Sequence, residues 1–214
     1  MRPSPALQAH PWHGVPTGDQ APTVVNCFIE IVPTDTIKYE VDKESGHLKL
    51  DRPQKFSNFC PAPYGFVPST YCGPQVAAWA MQQTGRKEVV GDGDPLDICV
   101  LTEHTINRGG ILLRARPIGG LRLFDRSEAD DKIIAVLVDD PAYGTISDIW
   151  QVPTPLVDRL RHYFLTYKDL PEPMGSERKR RCEISHVYDA AEAHAIIRAS
   201  QQDYAHLMKR EPQP

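Results

Sequence analysis

The sequence lacks the cysteine pattern of a disulfide-stabilised or zinc-binding domain. Its 214 residues contain five cysteines, an odd number, and no Cys-x-x-Cys pair. A structural zinc site requires clustered thiolates or imidazoles, and a small secreted domain requires a dense, even set of cysteines. We therefore expect free thiols in a reducing compartment and a cytoplasmic location.

Long apolar runs and a strong charge of either sign are also missing. No apolar segment approaches the roughly 20 residues of a membrane-spanning helix. Residues 1–22 contain five prolines but no apolar core of a secretory signal, so they are interpreted as an extended N-terminal arm. The 24 basic and 28 acidic side chains give a net charge of −4, which argues against nucleic-acid and membrane partners because such proteins are usually basic.

Sequence motifs of several enzyme classes are absent as well. The chain has no Walker-type phosphate loop, no Gly-x-Gly-x-x-Gly dinucleotide fingerprint and no Ser nucleophile elbow. Nucleotide-binding folds and serine hydrolases therefore lose support. Hydrophobic residues make up 41% of the chain, which indicates a compact globular protein rather than a disordered one or a coiled coil.

Short β-like segments dominate residues 24–140. Seven apolar or alternating runs separated by Pro and Gly turns predict strands at 24–32, 37–41, 47–50, 96–102, 111–116, 121–124 and 132–138. Helix signals lie near the other end, with Thr154-Pro155 at one start and Asp189 near a second. The basic stretch at 177–181 is interpreted as a solvated loop. Many short strands with tight turns favour a closed or nearly closed barrel.

The strongest chemical signal is an acidic turn at residues 91–97, Gly-Asp-Gly-Asp-Pro-Leu-Asp. At a separation of roughly 6 Å and an effective dielectric of about 20, each pair of carboxylates among Asp92, Asp94 and Asp97 repels by about 3 kcal/mol. A cation relieves this repulsion, and oxygen-only ligands favour Mg²⁺. A merely solvated acidic turn stays open as an alternative, whereas a calcium loop is disfavoured because Asp97 stands where Gly is required.

A second group of charged residues indicates a site for metal and phosphate together. Further acids are Glu30, Glu40, Asp125, Asp130 and Asp131. Basic and phenolic residues accompany them at Lys38, Arg52, Tyr64, Lys132, Tyr167 and Lys168. Carboxylates hold Mg²⁺, whereas Arg and Lys bind phosphate oxygens.

In order and approximate spacing, these motifs resemble the soluble, Mg²⁺-dependent inorganic pyrophosphatases of family I. Residues 92–98, Asp-Gly-Asp-Pro-Leu-Asp-Ile, match the signature of that family, and further matches lie at 28–31, 37–43, 50–52, 63–65, 116–119 and 162–170. The resemblance implies an α+β, mainly β fold: a five-stranded, OB-like closed barrel with flanking helices. Residues 23–210 would form this single domain, with an insert at 69–90 and C-terminal helices.

The resemblance also implies a role for each matched residue. Metal ligands for several Mg²⁺ ions, which Mn²⁺ or Zn²⁺ could replace, would be Asp92, Asp97, Asp125, Asp130 and Glu30. Asp94 would be the general base for a metal-bound water or hydroxide that splits pyrophosphate into two phosphates. Phosphate oxygens would be contacted by Lys38, Arg52, Tyr64, Lys132, Tyr167 and Lys168, and the first three would also be catalytic.

The resemblance leaves some questions open. A catalytically weakened, regulatory protein that binds Mg²⁺–pyrophosphate is the alternative function, and a homo-oligomer is expected, a hexamer first and a dimer second. An OB-type nucleic-acid binder is opposed by the acidic charge. The chain departs from the family pattern in three places: at Cys60, where many members have Tyr, at Arg126, where many have Glu, and in the insert at 69–90, which lengthens the stretch between Tyr64 and Asp92. Glu128 stands close enough to Arg126 to compensate.

Overall fold

The computed structural model describes residues 8–168 and 181–210. The strands in these ranges are β1 (Val25–Ile31), β2 (Ile37–Val41), β3 (Leu48–Pro53), β4 (Tyr64–Phe66), β5 (Val90–Gly91), β6 (Asp97–Leu101), β7 (Ile111–Asp125), β8 (Glu128–Ala129), β9 (Lys132–Leu137) and β10 (Cys182–Asp189). The helices are α1 (Pro74–Thr84), α2 (Thr154–Thr166) and α3 (Ala190–Arg210), with a 3₁₀ turn at Ile149–Gln151. None of the helices described is long and apolar enough to cross a membrane.

The main sheet has eight strands and mixed direction. Its pairings run β1–β4–β6–β9–β7, and β7 pairs again with β1, so these five strands follow one another in a ring. The pairs β6–β9 and β5–β8 are parallel and the other pairs are antiparallel. The α+β, mainly β class is thus confirmed, and the OB-like closed barrel stays a prediction.

One long strand replaces two predicted ones. The Pro117 and Gly119-Gly120 turn signals predicted a break between 111–116 and 121–124, which is wrong because β7 continues through them with a shift in its register against β9. Gly119 has φ of 153°, and a Cβ there would lie 2.4 Å from the Tyr188 carbonyl oxygen. The glycine therefore serves the close approach of β10 rather than a turn.

Four strands were not predicted: β4, β10 and the two-residue strands β5 and β8. β10 has the sequence Cys-Glu-Ile-Ser-His-Val-Tyr-Asp, and its pairing with β7 is irregular between Ile184 and His186. The irregularity interrupts the period-two alternation by which a strand is recognised. β4 has only three residues, too few for a pattern.

The core lies on both faces of the sheet. One buried cluster joins Val25 and Ile98 to Ala80 of α1 and Ile196 of α3. A second joins alternate residues of the same strands, such as Cys99, to α2. A third, smaller cluster consists of Trp12, Phe28, Val41 and Phe66. All five cysteines are free, as expected from their odd, scattered set, and all five are buried, which the sequence left open.

Helix α1 and the N-terminal segment are tied to this core by polar contacts. The carboxylate of Asp203 on α3 accepts hydrogen bonds of 3.0–3.1 Å from the backbone N–H groups of Gly73, Gln75 and Val76, at the start of α1. In the segment at residues 8–22, the Trp12 indole donates to the Thr70 carbonyl oxygen at 2.8 Å. The extended N-terminal arm at residues 1–22 stays a prediction, and residues 1–7 of it lie outside the described residues.

Strands β2 and β3 form a separate two-stranded hairpin beside the main sheet. Lys38 pairs in register with Arg52 across it. The hairpin thus carries two of the predicted phosphate-binding side chains to one wall of a pocket.

Candidate active site

A polar pocket of about 520 Å³ opens where the hairpin faces the ends of the main-sheet strands. Its lining residues are Glu30, Lys38, Glu40, Asp51, Arg52, Lys55, Tyr64, Asp92, Asp94, Asp97, Asp125, Glu128, Asp130, Lys132, Tyr167, Lys168 and Arg181. This set includes every residue to which the family resemblance gave a role in metal binding, substrate binding or proton transfer. The structure therefore brings all of them together, while their individual roles stay predictions.

Strand ends explain how residues from distant parts of the chain meet. Asp97 begins β6, Lys132 begins β9, and these parallel strands place the two residues in register. Tyr64 begins β4, which pairs with β6 on its other side. Tyr167 and Lys168 follow the end of α2.

Alternation along the chain separates Asp131 from its neighbours. Asp130 and Lys132 line the pocket, whereas Asp131 bonds to Arg122 on the other side of the sheet. Consecutive side chains in extended backbone point to opposite faces. Counting Asp131 with the acids of a metal-and-phosphate site was therefore wrong.

Lys132 is the buried cation at the centre of the pocket. Its side chain is 1% exposed, and its ammonium donates to the carboxylates of Asp97 and Asp130. The Tyr64 hydroxyl donates to Asp97 at 2.6 Å. Burial alone would lower the pKa of Lys132, but Asp130 and Asp97 hold it well above its ordinary value. Lys132 is therefore charged at neutral pH.

A second cluster surrounds Asp125 at the end of β7. Lys168 donates to its carboxylate at 2.7 Å, and the Arg181 Nε donates to the same group at 2.7 and 3.1 Å. Although burial raises the pKa of Asp125, these two cations keep it below the ordinary value. Asp125 is thus an anion whose charge is balanced by two side chains.

Glu30 and Asp92 form no ion pair within the described residues, and the charged form of each is destabilised. Burial raises the pKa of Glu30 to about 8, although the hydrogen bond that its carboxylate accepts from the Val41 N–H at 2.6 Å lowers this pKa. Burial raises the pKa of Asp92 well above its ordinary value, and repulsion from Asp130 and Asp97 raises it further. Such mutual destabilisation is the property of an oxygen-ligand set that a hard divalent cation relieves.

The donor chemistry of the pocket therefore fits Mg²⁺. Within residues 8–168 and 181–210, no three His, Cys, Asp or Glu side chains converge around one point. Three cations, Lys132, Lys168 and Arg181, occupy carboxylate oxygens that a metal ion would otherwise take. Metal binding would thus exchange these ion pairs for coordination.

Asp94 occupies a different environment from the other acids. Its side chain is 43% exposed, and its carboxylate pairs with the ammonium of Lys43. The Asp94 backbone N–H donates to Asp92 at 3.0 Å. A half-exposed carboxylate at the mouth of the pocket is accessible to water, as a general base must be.

Asp51, Lys55 and Arg181 also line this pocket, and none of them was predicted from the sequence. Asp51 accepts from Lys38 at 3.0 Å and also pairs with Arg52, its neighbour in the chain, which was the available signal. Arg181 lies at the end of the stretch at 177–181 interpreted as a solvated loop; its side chain is 46% exposed, and its Nε also pairs with Asp125. The other residues of that loop, 177–180, and positions 169–170 of a family motif lie outside the described residues.

The two single-residue departures from the family pattern, Cys60 and Arg126, have different surroundings. Cys60 is 1% exposed, and its thiol donates to the Ala62 carbonyl oxygen at 3.2 Å. Arg126 has a φ of 61° and does not line the pocket, whereas Glu128 does. Glu128 therefore supplies a carboxylate to this side of the pocket, although Arg126 stands where many family members have Glu.

Comparisons with known proteins agree with this geometry. A profile of the family described as inorganic pyrophosphatase matches residues 27–205. The inorganic pyrophosphatase of Chlamydia trachomatis serovar D is 53% identical over 208 residues, 97% of this chain and 99% of that protein. A soluble inorganic pyrophosphatase of Oryza sativa subsp. japonica is 40% identical over 162 residues, 76% of this chain and 67% of that protein.

A solved structure gives the same result for the fold. The crystal structure of inorganic pyrophosphatase from Thermus thermophilus superposes with a TM-score of 0.74 at 30% identity, over 92% of this chain and 99% of that chain. The profile match and the curated relatives each span most of the sequence. The chain therefore belongs to the inorganic pyrophosphatase family, a family of hydrolases.

Proposed function

We propose that this protein hydrolyses inorganic pyrophosphate to two phosphates, with Mg²⁺ as its metal. The observation that carries the proposal is the interleaving of carboxylates with Lys and Arg in one pocket. A multiply anionic substrate needs cations on every side, and a metal needs the carboxylates. Both requirements are met by side chains from separate parts of the chain.

The metal ions would be bound by carboxylates that either have no cationic partner or can exchange that partner for a metal ion: Glu30, Asp92, Asp97, Asp125 and Asp130. When bound, Mg²⁺ neutralises phosphate oxygens and lowers the pKa of a coordinated water towards neutrality. Mn²⁺ or Zn²⁺ is a substitute on the same oxygen ligands.

Phosphate binding falls to the cations and phenols of the pocket: Lys38, Arg52, Tyr64, Lys132, Tyr167 and Lys168. Lys38 lies 2.9 Å from Glu40 and 3.0 Å from Asp51, so substrate oxygens would replace existing carboxylate partners. Burial raises the pKa of Tyr167 to about 12 and that of Tyr64 well above its ordinary value. Both phenols therefore stay protonated and can donate to phosphate.

Proton transfer falls to Asp94, whose carboxylate accepts the proton of the attacking water. Arg52, Lys132 and Lys168 stabilise the charge that develops on the leaving phosphate. No covalent intermediate on the protein is required.

Several coarser expectations belong to the same proposal. They are an OB-like closed barrel formed by residues 23–210 with an insert at 69–90, a homo-oligomer that is a hexamer or, as second choice, a dimer, and a cytoplasmic location. No observation favours the catalytically weakened regulatory alternative, because every predicted catalytic and metal-binding side chain lines the pocket.

Phosphate release from pyrophosphate tests the proposal. We expect fast release that requires Mg²⁺, with kcat at least about a hundredfold lower in Asp94→Asn and Asp97→Asn. Asp158→Asn is the control, because Asp158 is 54% exposed on α2 and its one ion pair among the described residues is with the surface residue Arg161. Absence of release from folded wild-type protein with Mg²⁺, Mn²⁺ and Zn²⁺ would overturn the proposal in favour of the regulatory alternative.

A further inference from the structure

The β2–β3 hairpin must be held against the acidic turn for the pocket to keep its shape. It belongs to a separate two-stranded sheet. It also supplies Lys38, Glu40, Asp51 and Arg52 to the pocket wall. Any movement of the hairpin would therefore displace four charged side chains relative to the carboxylates of the acidic turn at 91–97.

Two polar contacts join the hairpin side of the pocket to the opposite wall. The Val41 N–H donates to Glu30 on β1 at 2.6 Å. Two residues further along the hairpin, the Lys43 ammonium pairs with the Asp94 carboxylate. The first contact is buried and fixes backbone, whereas the second reaches the side chain assigned to proton transfer.

The backbone of Asp94 is fixed independently of Lys43. Its N–H donates to Asp92 at 3.0 Å, and its carbonyl oxygen accepts from the Cys72 N–H at 2.8 Å. Among the residues that the structure describes, Lys43 is the only one whose side chain hydrogen-bonds the Asp94 carboxylate. The orientation of that carboxylate thus depends on Lys43.

The space behind this pair is not filled by packing. A cavity of about 50 Å³ lies next to Lys43 and Asp94, and its apolar wall is formed by Trp12, Val41, Phe66 and Pro95. A carboxylate beside an open space has room for other rotamers unless a charge partner holds it.

We propose that Lys43 is a positioning residue for the reaction, which orients the Asp94 carboxylate for proton transfer. The inference rests on the proposed function, in which Asp94 is the general base. Because the pair is half-exposed, its contribution to the stability of the fold is small. Its effect is on geometry, and misplacement of a catalytic group by about 1 Å lowers rates by up to about a hundredfold.

The hairpin offers a matched control in Lys49. Its ammonium pairs with Asp42 at 3.0 Å, and its side chain is 51% exposed, against 55% for Lys43. We expect Lys43→Gln to lower kcat about tenfold with KM within about twofold of wild type, and Lys49→Gln to change neither. Lys43→Arg should restore most of kcat, because a guanidinium keeps the charge and reaches the same carboxylate.

A double-variant experiment separates positioning from a general effect on the hairpin. In the Asp94→Asn background, Lys43→Gln should cause no further loss of the residual turnover, since the group it orients is gone. In metal-free protein, the Lys43 ammonium signal in ¹⁵N–¹H spectra should shift on Asp94→Asn and be unaffected by Lys49→Gln. Thermal midpoints of all variants should stay near that of wild type.

The outcomes distinguish this inference from the proposed function. If Asp94→Asn keeps wild-type turnover, the assignment of the base fails and the inference with it. If Asp94→Asn is inactive while Lys43→Gln is as active as wild type, only the role of Lys43 fails. Equal losses in Lys43→Gln and Lys49→Gln, or a further loss in the double variant, would also overturn it.

Discussion

Arg122 and Asp131 form an ion pair that is removed from solvent on the side of the sheet opposite the pocket. Their side chains are 0% and 1% exposed, and the Arg122 Nε donates to both oxygens of Asp131 at 2.8 and 3.0 Å. Arg122 also donates to Glu192 on α3 at 3.0 Å. The pair thus links β7, the start of β9 and α3.

The magnitude of each substitution follows from the charge that is left behind. Arg122→Met leaves the buried Asp131 carboxylate without its partner, and a broken buried pair costs about 3–5 kcal/mol in free energy of unfolding. Asp131→Leu should cost about 3 kcal/mol, at the low end of this range, because Arg122 still pairs with Glu192. Replacing both residues removes both charges, and such replacements are often neutral. We therefore expect a cost of about 2 kcal/mol or less for Arg122→Met/Asp131→Leu.

Urea unfolding of the four proteins measures this coupling directly. The free energies of unfolding should give an interaction energy of at least about 3 kcal/mol between the two sites. The control cycle uses Arg161 and Asp158, which pair at 3.0 Å on the surface of α2 with 45% and 54% exposure. Its interaction energy should be about 0.5 kcal/mol or less.

Additive effects would refute the reasoning. If the double variant loses the sum of the two single losses, the pair contributes nothing beyond its separate side chains. The same conclusion follows if both single variants lose less than about 1 kcal/mol, because a desolvated charge would then carry no penalty at this position.

Three further substitutions test other parts of the structure. Asp203→Ala leaves three backbone N–H groups at the start of α1 without their acceptor. We therefore expect the free energy of unfolding in urea to fall by about 2–3 kcal/mol. A decrease below about 0.5 kcal/mol would contradict the capping role of Asp203. Although burial raises the pKa of Asp140, hydrogen bonds from the Thr102 hydroxyl and three backbone amides hold it below its ordinary value. The ionised Asp140 therefore stabilises the fold fully above the unfolded pKa of about 3.9, and this stabilisation is lost as pH falls through the lower folded pKa. Asp140→Asn should have a lower free energy of unfolding than wild type at pH 7 and lose less of it on acidification. Equal dependence of the two free energies on pH would argue against this role of Asp140. Lys132→Met should lower kcat by at least about a hundredfold while the protein stays folded, and steady-state phosphate release with wild-type-like kcat would exclude Lys132 from the site.

Most of the candidate site could be predicted from the sequence because its residues are chemically conspicuous. The acidic turn with Asp92, Asp94 and Asp97 concentrates repulsive charge in a few residues, and such a sequence needs a cation or solvent. Lys38 and Glu40 alternate on an obvious strand, which placed them on one face. Residue type and local spacing were sufficient for these positions.

The residues that were missed or misjudged depend on the packing of distant segments. Arg181 reaches Asp125 because β10 pairs along β7. Asp131 carries the same charge as Asp130, and only the direction of its side chain removes it from the pocket. Neither property is encoded in composition or in a short motif.

The sequence by itself therefore determined which chemical groups line the pocket of this protein and which family it belongs to. The tertiary structure decided which of these groups meet. The parallel register of β6 and β9 places Lys132 against Asp97, and the hairpin turn brings Lys43 to Asp94. Such contacts are set by strand register and by close packing between segments far apart in the chain, and local sequence preferences carry little information about either.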